Sequence, residues 1–182
     1  MKKVLLLLVV QLTIMSCSSE SAPAEQPQPI SQLSATINNV IWTPTIIKKA
    51  KLSKYSMGNQ KLFEIIAEND SQLLELNMFS NYTADDSMPY TTFTYQNTSN
   101  PVNGFGFVHI DYRINGNYIG EHNATSSTIT ITSINPTTKT ISGTFSAVLN
   151  KTGILQNIIV TPQVLTITSG TFTNINYTVA NF

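Results

Sequence analysis

Phe105-Gly106-Phe107-Val108-His109-Ile110-Asp111-Tyr112-Arg113-Ile114-Asn115-Gly116 is the stretch that decides the fold. Val108, Ile110, Tyr112 and Ile114 fall on one face of an extended chain. His109, Asp111 and Arg113 fall on the other. That period of two marks a strand with one dry and one wet side. Asn115-Gly116 follows at once, and both residues tolerate the positive φ that a two-residue hairpin turn demands. Asn117 to Glu121 is then the returning strand.

The same grammar continues in both directions. Thr36-Ile37-Asn38-Asn39-Val40-Ile41-Trp42 is a second tight hairpin. Leu62 to Ala67 and Leu73 to Phe79 form a third around Asn69-Asp70-Ser71, with Phe63, Ile65 and Ala67 on one face and Leu74, Leu76 and Met78 on another. Thr128 to Ile134 and Lys139 to Leu149 pair across Asn135-Pro136, and Ile141, Gly143, Phe145, Ala147 and Leu149 alternate cleanly. Pro162 separates Ile154 to Val160 from Val164 to Ile167, because it has no ladder donor. Thr171 to Val179 is the last strand. A bulge near Thr173-Asn174 brings Phe172, Ile175, Tyr177 and Val179 to one side. Lys48 to Asn59 is the only helical candidate, and Gly58 with Ser53 and Ser56 weakens it. The expectation is one all-β antiparallel domain of nine or ten strands over residues 34–182, a closed barrel or a sandwich, with mostly sequential connections.

Composition agrees. The chain has 182 residues, enough for one domain. Only 11% are charged, and 24 Thr, 18 Ser and 18 Asn take the place of charge. Thr favours strands and Asn favours turns. Ten basic residues balance ten acidic ones, which argues against a nucleic-acid partner. One cysteine excludes an intramolecular disulfide.

The N-terminus gives a destination. Lys2 and Lys3 precede an apolar run from Val4 to Met15, too short to span a membrane and of signal-peptide proportions. Ile14-Met15-Ser16-Cys17 closes it. This resembles a bacterial lipoprotein signal with a relaxed lipobox, of the kind common in Bacteroidetes. The resemblance implies cleavage after residue 16 and lipidation of Cys17, hence a protein anchored at the outer membrane, facing the periplasm or the cell surface. The alternative is an ordinary secreted protein with a chance cysteine. Residues 17–33, with Pro23, Pro27 and Pro29, have the composition of a tether.

Ser142-Gly143-Thr144-Phe145 and Ser169-Gly170-Thr171-Phe172 open two late strands. With Ala35 to Trp42, they resemble an uncharacterised family of small β-rich lipoproteins of flavobacteria and other Bacteroidetes, a domain of unknown function. The resemblance spans about residues 34–179 and implies location and a β-rich fold, with no activity and no catalytic residues. In physical terms each Gly allows close approach at a strand entry and each Phe anchors the strand. Asp86-Ser87-Met88 is similar to the short O-glycosylation motif of that phylum.

No nucleophile elbow, phosphate loop or His-Glu-x-x-His motif is present, so a non-enzymatic role is expected, with no cofactor. One constellation points to a metal. If Asn115-Gly116 is a two-residue turn, His109 faces His122 across the hairpin, with Asp111 next along the same face. Two imidazoles and a carboxylate suit zinc; the alternative is a solvated polar face, and a one-residue register slip separates the pair. Phe79, Tyr82, Tyr90, Phe93 and Tyr95 cluster around Asp85 and Asp86. Tyr82, Tyr90 and Tyr95 are candidate sugar-stacking residues, unless they pack inward; Trp42 is a core anchor. Lys48, Lys49, Lys51, Lys54 and Lys61 read as a solvated edge or as a docking face for an acidic partner. The expected role is binding, of a glycan or an envelope partner, with a carrier of a small lipophilic ligand and a purely structural envelope lipoprotein as alternatives. An apolar cavity favours the carrier, and a filled core with an exposed aromatic strip favours the binding module.

Overall fold

The computed structural model describes residues 32–97, 104–152 and 161–182. The described residues form eleven strands and no helix: β1 Gln32–Ile37, β2 Val40–Trp42, β3 Ile46–Tyr55, β4 Gln60–Glu68, β5 Gln72–Asn81, β6 Thr92–Gln96, β7 Phe105–Ile114, β8 Asn117–Asn135, β9 Thr140–Lys151, β10 Val164–Asn176 and β11 Thr178–Asn181. The all-β expectation holds. The strand count is eleven, not nine or ten, because the weak helix candidate is β3 and the Tyr-rich stretch contributes β6. Asn117–Glu121 and Thr128–Ile134 are parts of one long β8. β1 starts at Gln32, and Leu33, expected in the tether, is buried. Cys17 and the strand expected over Ile154 to Val160 lie outside the described residues.

All eleven strands belong to one sheet, in the order β11-β3-β4-β5-β7-β6-β8-β9-β10-β1-β2. It is not a closed barrel, since the order ends in two edges, β11 and β2, and the sandwich-like all-β class is the one that holds. Nor is it wholly antiparallel: β11 runs parallel to β3, and β6 meets β7 in parallel at Thr94 and Phe105. β6 wedges between β7 and β8 where their hairpin splays, and the mostly sequential order is broken there.

One face of this sheet forms one core. Leu33, Phe63, Ile65, Leu76, Met78, Ile110, Ile129, Phe145, Leu149 and Phe172 come from seven strands and belong to a single buried cluster. A lone sheet can enclose one core only by curling. β10 passes through Tyr177 into β11, so one continuous segment pairs with β9 and β1 and then with β3 at the far end of the order. The Tyr177 ring meets Phe63 of β4 edge-on at 5.1 Å. The phase change that allows this is the expected bulge: the β9–β10 register shifts between Phe172 and Ile175, and Asn174 has φ 51°. Trp42 is buried, as expected of an anchor.

One end of the curl is plugged by the segment joining β5 to β6. Lys61 Nζ donates to Asp85 O at 2.8 Å, Ser87 O at 2.8 Å and Asp85 Oδ1 at 2.6 Å. Lys54 Nζ donates to Ala84 O and Asp86 Oδ1, and Lys139 Nζ to Asp86 Oδ2 at 2.6 Å. Tyr177 Oη donates to Asp86 O at 2.7 Å, and Met88 is inserted and buried. Lys54 and Lys61 are therefore not part of a solvated edge. Both are buried with their ammonium groups paired, which is how a fold tolerates buried charge.

Candidate functional site

The two-residue turn forms as the sequence predicts, with Asn115 at φ 51° and Gly116 at φ 76°. Next to it, Ile114 pairs with Asn117 and Arg113 with Tyr118. The register then shifts: Tyr112 pairs with Gly120, Ile110 with His122 and His109 with Asn123. The extra residue on β8 inverts every side chain beyond it. The expected His109/His122 pair is corrected on this ground. His122 points into the core and is fully buried, 5.3 Å from the Tyr112 ring. Its Nε2 donates to Pro162 O at 2.6 Å, and its Nδ1 has no partner among the described residues. Burial pushes the His122 imidazole below its ordinary range.

His109 and Asp111 stay on the outer face, and Glu121 replaces His122 beside them. One ligand atom each of His109, Asp111 and Glu121 lies within 4.8 Å of the others. His109 Nε2 is 2.7 Å from Asp111 Oδ1, and its Nδ1 donates to Asn123 Oδ1 at 2.7 Å. The Asn123 orientation follows from its amide nitrogen, which donates to Glu121 Oε1 and Thr152 Oγ1. Thr152 and Tyr118 hydroxyls donate to the two Glu121 oxygens at 2.8 Å. These two bonds hold the Glu121 carboxyl below its usual range. Burial and the same carboxylate push the Tyr118 hydroxyl up.

The three candidate tyrosines are not brought together. Tyr90 is exposed and tethered, its hydroxyl donating to Ile134 O at 2.7 Å. Tyr82 is half-buried beside the plug, apart from the other two. Tyr95 alone joins an aromatic strip, with Phe105 at 4.9 Å, Phe107 at 5.3 Å, and Phe79 at 5.3 Å from Phe105. All four rings are half-buried on the outer face, whereas Phe93 is in the core.

Beside that strip lies a feature that the sequence reading missed. Thr92 of β6, Thr130 of β8, Thr144 of β9, Thr171 of β10 and Ser34 of β1 pair directly, each with the next, across five strands. A second row runs Thr94, Thr128, Ser146, then Thr168 and Thr36; Thr168 and Ser169 together oppose Ser146 at a bulge. All these side chains face outward, and none of them is charged. Thr92 and Thr130 hydroxyls bond at 3.0 Å, and Ser34 and Thr171 at 3.2 Å. A groove of about 200 Å³ crosses the wall, lined by Thr94, Gln96, Ser126, Thr128, Ser146 and Thr166. The signal present in the sequence was the Ser/Thr spacing of two within each strand; the lateral alignment exists only in the sheet.

Comparisons with protein-family models, curated proteins and solved structures find no match to this chain.

Proposed function

We propose that this chain is a lipid-anchored binding module of the cell envelope that lays a neutral glycan chain along its hydroxyl wall. The observation that carries this reading is the pair of in-register Ser/Thr rows on the outer face of β6, β8, β9, β10 and β1. Each hydroxyl both donates and accepts, as sugar hydroxyls do, and each Thr adds a methyl for the apolar face of a sugar ring. Rows lie about 6.7 Å apart along the strands, and neighbours within a row about 4.8 Å apart. Strands in a sheet rotate by roughly 20–25° from one to the next. A rigid planar lattice loses register over five such strands, whereas a single flexible chain follows the twist. The half-buried ring of Tyr95 borders the wall and offers one stacking edge.

The carrier alternative needs an apolar cavity. The space inside the curl is instead occupied by fully buried side chains such as Phe63, Phe93, Phe172, Leu52 and Ile110. That filling supports binding on the outside. The test is affinity electrophoresis of the purified chain through gels holding neutral polysaccharides (mannan, starch, xyloglucan) or the acidic polymer alginate. The expected result is retardation in a neutral gel, lost in Thr128→Lys/Thr144→Lys. No retardation in any neutral gel, or equal retardation of the variant, contradicts the proposal.

A further inference from the structure

We propose that His109, Asp111 and Glu121 form a zinc-class metal site on the outer face of the β7–β8 hairpin. The inference stands apart from the glycan reading. Three side chains of the right types converge from two adjacent strands, with one ligand atom of each within 4.8 Å of the others. An imidazole with two carboxylates is a donor set for zinc and similar divalent ions.

The surroundings of the imidazole are those of a metal ligand. Nδ1 donates to Asn123 Oδ1, which leaves the lone pair of the neutral ring on Nε2. Nε2 itself lies 2.7 Å from Asp111 Oδ1, in hydrogen-bond contact with it. A proton bridges the two atoms at that distance, and an ion bound there takes the proton's place as nitrogen and oxygen move slightly apart to the spacing of two tetrahedral ligands. Asn123 is itself oriented by Glu121 and Thr152, and Glu121 by Tyr118 and Thr152. The three groups are therefore held before any ion arrives, which lowers the ordering cost of binding. Glu75 stands across the β5–β7 ladder from His109 and adds to the negative field, though its carboxylate is already bonded to Asn77. Three protein ligands leave a fourth tetrahedral position to water or to a ligand oxygen.

The chain has two histidines, one outside and one buried, so the readout is clean. Titrate the purified, untagged full chain with zinc chloride by calorimetry, and follow both imidazoles by NMR. The expected result is one saturable site per chain, with His109 resonances shifting while those of His122 do not. Asp111→Asn should weaken binding at least about tenfold. Cobalt(II) on the wild-type protein gives a visible band of a low-symmetry four-coordinate site, which requires no variant to fold. No saturable heat up to millimolar zinc, movement of His122 instead of His109, or undiminished affinity in His109→Ala/Asp111→Asn overturns the proposal.

Discussion

Phe172 lies directly across the β9–β10 ladder from Gly143, and its ring fills the space that a β-carbon at 143 would occupy, 2.3 Å from that position. The relationship is reciprocal. Phe145 pairs with Gly170, and a β-carbon there would meet the Phe145 ring at 2.7 Å. The repeated Ser-Gly-Thr-Phe element thus has a packing reason: each copy supplies the ring that covers the other copy's glycine. Ser and Thr of the same element face outward, so four residues build both the core and the hydroxyl wall.

Truncating Phe172 to Ala should cost about 3–5 kcal/mol, since the ring is fully buried. Gly143→Ala should cost about 2–3 kcal/mol by overpacking, because Thr130 O also blocks that site and backbone cannot yield cheaply. Chemical denaturation measures both. A loss under about 1 kcal/mol for either would refute the packing described.

Lys61→Met should lower stability by about 2–4 kcal/mol, although methionine fills most of the volume. The ammonium group satisfies Asp85 O and Ser87 O at the plug, and its removal strands both carbonyls. Lys48→Met, at an exposed pair with Glu68, is the control and should change stability by under about 0.5 kcal/mol. Equal effects at the two positions would show that the plug is not held by Lys61.

The plug should also set the acid limit of the fold. Lys139 and Lys54 hold the Asp86 carboxyl down at about 2, and Lys61 with Thr83 lowers Asp85. Both groups are depressed on folding. Their contribution is therefore present above the unfolded carboxyl value of about 4 and is lost as pH falls from about 4 through about 2. Asp86→Asn should flatten the dependence of melting temperature on pH in that window and leave its slope above pH 5 unchanged. An identical acid profile for the variant would rule out the Lys–Asp86–Lys bridge as its source.

The proposed lipid anchor rests on Cys17 alone. Cys17→Ala, expressed as the full chain in a bacterial host, should move the protein from the membrane fraction to the soluble fraction with its fold intact by circular dichroism. Retention on the outer membrane through a detergent-sensitive attachment would count against lipidation at that cysteine.

Much of the fold was legible because turns and alternation are local. Asn38 and Asn39, at φ 47° and 66°, form the hairpin turn that their type demands, and Asn174 sits in the bulge that hydrophobic phase required. Lateral order was not legible. Nothing within Thr92 to Gln96 states that it will wedge between the arms of a later hairpin. The site failed at one residue: the hairpin turn fixed the pairing of Ile114 with Asn117, and an extra residue before Gly120 moved His122 indoors. Alternation back from buried Ala124 points to the inward His122, so the phase of the strand outweighed the turn. Lys61 shows the same lesson, since it shares its phase with Phe63, Ile65 and Ala67 and is inside for that reason, charge notwithstanding.

The most direct measurement is a titration of the purified chain, with threonine, isoleucine and leucine methyl groups labelled for NMR, by a neutral oligosaccharide from whichever polymer retards it. The account predicts shifts confined to Thr92, Thr94, Thr128, Thr130, Thr144, Thr168, Thr171 and Thr36, saturating together with a single dissociation constant. Absence of shifts there, with changes instead at core methyls such as Ile110 and Leu149 or at the exposed Ile41 of β2 and Ile46 of β3, would contradict it.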